Sequence, residues 1–130
     1  MPATDYVNED EYHLFVVFTN PKEGREHDFH EWYKLHVRDV TNAPGFKWGR
    51  RYVLDPDQRP GQSSPWHYLA LYGFVGDVNE IHAQLKQADD SGAIANSDAY
   101  EDYYVAWVYS AIGPKISRAD RPSGAEGDAR

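Results

Sequence analysis

Residues 12–19 and 103–112 constrain the fold most, because each run predicts a strand with large apolar side chains on both faces. A strand with one face in water would alternate apolar and polar residues instead. The first run places three side chains on each face, namely Leu14, Val16 and Phe18 opposite His13, Phe15 and Val17. Both faces of the sheet that contains these strands must therefore be covered.

Four strand-like runs and two helix-like runs follow one another in the order β-α-β-β-α-β. The strands are predicted at 12–19, 46–54, 66–75 and 103–112, and the helices at about 22–41 and 78–88. Asn20-Pro21 ends the first strand, and Pro44-Gly45 stops the first helix. Residues 55–65 are rich in Pro, Gly, Asp and Ser and predict a hairpin loop between the second and third strands.

The second helix carries a start signal and an apolar stripe. Asp77 and Glu80 have the spacing of an N-terminal cap, in which a side-chain oxygen accepts from a backbone N–H of the first turn. A polar segment at 89–102 follows, which we expect to be flexible. The folded domain is assigned to residues 11–114, between a flexible N-terminus at 1–10 and a disordered tail at 115–130.

This element order predicts an α+β fold, the ferredoxin-like βαββαβ sandwich, with a four-stranded antiparallel sheet and two helices on one face. Two helices leave the second face of the sheet uncovered. Leaving it in water would expose an apolar patch larger than monomers usually tolerate. We therefore expect a homodimer in which two sheets pack face to face about a two-fold axis.

Composition excludes several classes of function. The chain has 130 residues, a net charge of -8 and no cysteine, so it forms one core without disulfides, thiolate metal sites or a cysteine nucleophile. The negative charge disfavours nucleic acid and anionic membrane surfaces as partners. Residues 1–11 lack the basic start and apolar run of a signal peptide, and no apolar run is long enough to span a membrane, so a cytoplasmic location is expected. Phosphate-binding glycine motifs and a serine-hydrolase elbow are also missing from the sequence.

His36 is the leading candidate for chemistry. It lies within a stripe at helical spacing formed by Phe29, Tyr33, His36 and Val40, with Trp32 at the edge of this stripe. An imidazole with a pKa near 6.5 can accept and donate a proton near neutral pH. The alternative is a core histidine whose two nitrogens bond to neighbouring groups. Asp39, one turn further on, either orients the ring or is a solvated carboxylate.

The order W-Y-x-x-H-x-x-D-V-x-x-x-P-G-F at residues 32–46, with Asn20-Pro21 before it and Arg50-Arg51-Tyr52 after it, resembles the EthD-like branch of the dimeric α+β barrel superfamily. The resemblance covers residues 12–54 well, and residues 66–112 only as a pattern of strands and a helix. It implies a homodimer with a pocket between helices and sheet in each subunit. It also implies a cofactor-free reaction on an aromatic or polyketide-like compound, with His36 facing the pocket.

Further site residues are predicted around His36. Tyr33 could donate to an oxyanion, or pack in the core, and either Arg51 or Arg50 could pair with a carboxylate or enolate. The predicted substrate-binding residues are aromatic side chains and histidines of the first helix and the strands: Trp32, His13, His67, Tyr72 and Trp107. A plant member of the superfamily has histidines on its first and third strands, which is similar to His13 and His67. The strand residues His67, Tyr72 and Trp107 could instead lie at the subunit interface.

The resulting expectation is a cofactor-independent lyase or cyclase that acts on an oxygenated aromatic or polyketide-like small molecule by histidine acid-base catalysis. A cofactor-free monooxygenase or isomerase of the same superfamily and a non-catalytic protein that binds an aromatic metabolite are the alternatives. Haem binding also occurs in the superfamily. His27 and His30 could together approach a metal ion, but they point away from the apolar stripe, so we expect solvated side chains and no metal.

Overall fold

The computed structural model describes residues 13–120, so the predicted N-terminal segment 1–10 and residues 121–130 of the predicted tail lie outside it. The elements in chain order are β1 His13–Thr19, α1 Glu26–Thr41, β2 Phe46–Val53, β3 Tyr68–Phe74, α2 Val78–Asp90 and β4 Val105–Ser110. A short 3-10 turn at Arg118–Asp120 follows. The predicted order of strands and helices is confirmed.

The four strands form one sheet in the order β2-β3-β1-β4, and every neighbouring pair is antiparallel. This order is compatible with the ferredoxin-like arrangement. The prediction of an α+β fold with a four-stranded antiparallel sheet and two helices is therefore confirmed.

The helix α1 begins at Glu26, later than the predicted start at residues 22–24. Gly24 has a φ of 82°, which a helix cannot accommodate, and the backbone N–H of Arg25 closes a turn onto the carbonyl of Lys22 at 2.9 Å. The start of α2 is as predicted, because the Asp77 carboxylate accepts from the backbone N–H of Glu80 at 2.9 Å. The capping carboxylate before α2 thus gives a more precise start signal than the Asn20-Pro21 break before α1.

The strand β4 is shorter than predicted, since it begins at Val105 instead of residue 103. Part of the segment that precedes β4 is hydrogen-bonded to the loop after β1. The carbonyl of Ala99 accepts from the backbone N–H of Lys22 at 2.8 Å, and the backbone N–H of Glu101 donates to the carbonyl of Asn20 at 2.8 Å. These bonds hold residues 99–101 against the loop between β1 and α1.

The core lies between the helices and one face of the sheet. Alternation along the paired strands directs Ala70, Tyr72 and Phe74 of β3 to this face, and all three are buried. Side chains from both helices join the same cluster: Phe29, Trp32, Tyr33 and Val40 from α1 and Ile81 from α2.

Neither α1 nor α2 packs on the opposite face of the sheet, called the uncovered face below, although Trp66 lies against Phe18 there with ring centres 6.1 Å apart and Val16 is buried. Leu14, Val16 and Phe18 of β1 lie on it, beside Trp107 and Tyr109 of β4. Trp107 is 54% exposed and Tyr109 is 59% exposed. The expectation that both faces of this sheet are apolar is therefore met.

Candidate functional site

A cavity of about 390 Å³ opens between the two helices, β1 and the segment that precedes β4. Apolar and aromatic side chains make up much of its wall: Phe15, Val17, Trp32, Tyr33, Leu85 and Tyr100. This size lies within the usual range for sites that bind small molecules. Of the predicted site residues, Trp32, Tyr33 and His36 lie together on this wall.

The ring of His36 is held by the backbone of Ala95. The Nδ1 atom of His36 lies 2.9 Å from the carbonyl oxygen of Ala95, which also accepts from Nε1 of Trp32 at 2.8 Å. Because a carbonyl oxygen can only accept, Nδ1 must carry a proton. In the neutral ring, Nε2 then holds the lone pair, and it makes no hydrogen bond to any residue between 13 and 120.

Burial lowers the pKa of His36 below its ordinary value, although the bond to Ala95 and the carboxylates of Asp39 and Asp89 act in the opposite direction. The ring is therefore neutral at pH 7. A neutral imidazole with a fixed tautomer and an available Nε2 has the properties of a general base.

Asp39 acts on the site through the backbone. Its Oδ2 accepts from the N–H of Ala95 at 2.9 Å, and the carbonyl of the same residue binds His36. The carboxylate therefore neither orients the ring by a direct hydrogen bond nor is merely solvated, which were the two possibilities considered from sequence. It anchors the segment that orients the ring.

Tyr33 lies beside two other hydroxyl groups and a guanidinium. Burial raises the pKa of the Tyr33 phenol, whereas the Thr19 hydroxyl and the Arg51 cation act to lower it. The guanidinium carbon of Arg51 is 4.7 Å from the centre of the Tyr33 ring. Burial similarly raises the pKa of Tyr72, and Arg51 opposes this as well.

Arg51 points to the helix side of the sheet, as one of the two adjacent arginines must, whereas Arg50 is exposed. The guanidinium of Arg51 donates to Nδ1 of His30 at 2.9 Å, so His30 is not the solvated side chain that the sequence suggested. None of the ion pairs within residues 13–120 includes Arg51. Arg51 lies behind Tyr33 and is not on the cavity wall.

His13 and Tyr72 are buried away from the cavity wall. Nε2 of His13 donates to the carbonyl of Gly76 at 3.0 Å, and its Nδ1 lies 2.8 Å from the Ser110 hydroxyl. His13 faces the helices but is at the far end of β1, where its ring lies 4.9 Å from that of Phe74. Tyr72 is enclosed between Phe15 and Phe46 in the core.

The other two predicted strand residues also lie elsewhere. Trp107 lies on the uncovered face of the sheet, because alternation from Val108 turns it away from the helices. His67 is exposed just before β3, where its backbone N–H donates to Oδ1 of Asn20 at 2.8 Å. The structure thus gives neither residue a contact with the cavity that contains His36.

The residues of this site that the sequence analysis did not propose include Thr19, Tyr100 and Ala95. Thr19 continues the face of Phe15 and Val17, so alternation along the first strand could have found it. Tyr100 stacks on Trp32 with ring centres 5.0 Å apart and an interplanar angle of 18°, although it lies in the segment predicted to be flexible. The contribution of Ala95 is a backbone carbonyl, which no side-chain pattern can reveal.

Within the described residues, no three His, Cys, Asp or Glu side chains are grouped closely enough to hold a metal ion. None of the helices described here is long and apolar enough to cross a membrane. No protein-family model matches the chain, and no curated protein matches its sequence. Function must therefore be inferred from the site.

Proposed function

We propose that the protein is a cofactor-independent enzyme of the lyase or cyclase type, and that it transfers a proton on an oxygenated aromatic or polyketide-like small molecule. The observation that carries this proposal is the bond from Nδ1 of His36 to the carbonyl of Ala95. It leaves Nε2 as the basic atom of a side chain that lines a cavity of ligand size.

The proposed reaction begins when Nε2 of His36 removes a proton from a C–H group next to a carbonyl or from a phenolic O–H group. The electron pair remains on the substrate as an enolate or phenolate, and the ring becomes an imidazolium. The Ala95 carbonyl and the carboxylates of Asp39 and Asp89 favour this charged form. In a cyclisation the enolate carbon then bonds to a second carbonyl carbon of the same substrate, and the imidazolium protonates the alkoxide that this forms. In a dehydration the electron pair expels a hydroxyl group, which the imidazolium protonates so that it leaves as water. Either step restores the neutral ring.

Tyr33 has the properties of a donor to the oxygen that becomes negative. Its raised pKa keeps the phenol protonated at neutral pH, and it lies on the same wall as His36. Positioned donors of this kind stabilise a developing oxyanion. The stacked rings of Trp32 and Tyr100 suit a flat substrate.

The uncovered face of the sheet supports a second part of the proposal, a homodimer of the dimeric α+β barrel kind. Trp107 and Tyr109 are large, more than half exposed and adjacent to the apolar side chains of β1 on this face. Association of two copies through this face would remove the patch from water.

The experiment is a turnover screen with β-keto carbonyl compounds and hydroxyaryl ketones, followed by mass spectrometry of the products. Wild-type protein and the variant His27→Ala, whose histidine is exposed on the same helix, should convert the same compound. His36→Ala should lose at least about 100-fold in rate, the usual contribution of a positioned base. Equal turnover by His36→Ala and wild type would contradict the proposal.

A further inference from the structure

Thr19 is a buried hydroxyl on the wall of the cavity. It is the last residue of β1, it is 3% exposed, and it shares the helix-facing side of the strand with Phe15 and Val17. Its Oγ1 atom has no hydrogen-bond partner within the described part of the chain. A buried hydroxyl without a bond is unfavourable, and most such groups in proteins are satisfied.

The surroundings of Thr19 do not supply the missing bond. The Tyr33 phenol is a polar neighbour, and its side-chain contact with the Thr19 hydroxyl lowers the Tyr33 pKa, but the two oxygens do not meet the distance and angle of a hydrogen bond. The hydroxyl of Tyr72 is buried without a partner as well. By contrast, the other threonine hydroxyl of the helix-sheet layer, that of Thr41, donates to the carbonyl of Val37 at 2.7 Å.

The cavity has exposed polar side chains at its opening and a buried hydroxyl at its inner end. Lys86, Asp89 and Asn96 are exposed and contribute polar groups to the opening. Thr19 is deeply buried, and its neighbour Tyr33 packs against the Arg51 guanidinium. A positive charge near the buried end favours a ligand atom that carries partial negative charge, which in a small organic molecule is usually oxygen.

We infer that Thr19 is a specificity-determining residue, whose hydroxyl forms a hydrogen bond with a hydroxyl or carbonyl oxygen at the buried end of a flat apolar ligand. The inference rests on the proposed function only in taking this cavity as the substrate site. It requires no proton transfer by His36. A site that leaves a polar group unpaired discriminates strongly against a ligand without the matching oxygen.

The test compares two probes of nearly equal shape, 2-naphthol and 2-methylnaphthalene, by equilibrium dialysis against the whole chain. The measured quantity is the ratio of the two dissociation constants. Thr19→Val keeps the size of the side chain but removes the hydroxyl, and it should reduce the preference for 2-naphthol by about fivefold, the value of one neutral hydrogen bond. Thr19→Ser keeps a hydroxyl and should keep the preference.

Thr41→Val is the matched control, because it removes a threonine hydroxyl that is outside the cavity and bonded to its own helix. It should leave the preference unchanged. Thr19→Val should also melt at or above the temperature of the wild type, because the hydroxyl it removes has no protein partner. A lower melting temperature would show that the hydroxyl has a structural bond, and would overturn the inference.

An unchanged probe ratio in Thr19→Val, or failure of both probes to bind the wild type, would also overturn the inference. The dialysis measurement is independent of turnover. A Thr19-dependent preference together with full activity of His36→Ala would contradict the proposed catalysis alone. Loss of activity in His36→Ala, together with a probe preference that does not depend on Thr19, would contradict the role of Thr19 alone.

Discussion

Replacing Asp39 tests whether the segment before β4 is anchored from α1. In Asp39→Ala the backbone N–H of Ala95 loses an ionised acceptor at 2.9 Å, and a hydrogen bond to a charged group contributes about 1.5–3 kcal/mol. Asp39 is partly exposed, so water offsets some of this loss. We expect the free energy of unfolding to fall by about 1–2 kcal/mol, measured by urea denaturation with tryptophan fluorescence.

The variant Asp39→Asn separates anchoring from charge. Its amide oxygen can still accept from Ala95, so most of the stability should remain. The negative charge that raises the pKa of His36 is lost, so this pKa should fall further below its wild-type value in an NMR titration. Asp28→Ala, which removes a surface partner of Arg25, should change neither quantity appreciably. If Asp39→Ala were as stable as the wild type, the anchoring role of Asp39 would be refuted.

Three further predictions concern separate parts of the molecule. Burial lowers the pKa of His36 in the folded protein, so below about pH 6.5 the unfolded chain binds more protons than the folded one. As the pH falls from about 6.5 to the folded-state pKa, the free energy of unfolding should therefore decrease. The decrease should be at most about 1.4 kcal/mol per pH unit. His36→Asn should lack this component in denaturation curves recorded across that pH range, and identical curves would contradict the assignment. Gly49→Ala should destabilise by about 1–3 kcal/mol in urea, because a Cβ there would overlap the hydroxyl of Thr41; unchanged stability would refute this close approach. In light scattering, the wild type should have twice the 14.9 kDa mass of one chain. Trp107→Glu should be monomeric. Leu35→Glu is the control, because Leu35 is exposed on α1, and it should stay dimeric. A wild-type monomer would disprove the dimer.

The fold could be predicted from local signals because each element has its own. The apolar runs on both faces of β1 and β4 and the Asp77 cap all correspond to observed features. The start of α1 was predicted too early because a positive φ at Gly24 is a property of backbone geometry that the residue type permits but does not require.

The site was only partly predictable for a different reason. Helical spacing brought Trp32, Tyr33 and His36 together, since residues three and four apart share one face of a helix. The strand candidates depended on which face of the sheet meets the helices, and two faces of equal hydrophobicity do not decide this. The sequence therefore allows Trp107 either in the pocket or at a subunit interface, and the structure places it on the side of the sheet away from the helices.

The hydrogen-bond partners of His36 also depend on contacts distant in sequence. Ala95 lies 59 residues after His36, in a segment whose composition predicts only flexibility. Its conformation is fixed by Asp39 and by the bonds of residues 99–101 to the loop after β1. No local pattern encodes these bonds, so the tautomer of His36 follows from the tertiary structure alone.

The most direct test of the proposed site is the protonation state of the two nitrogens of His36, measured by ¹⁵N NMR of the imidazole at pH 7 and assigned with His36→Gln. The structure predicts a neutral ring with the proton on Nδ1 and none on Nε2. A ring with the proton on Nε2, or one that is doubly protonated at this pH, would contradict the role of His36 as the base in the cavity.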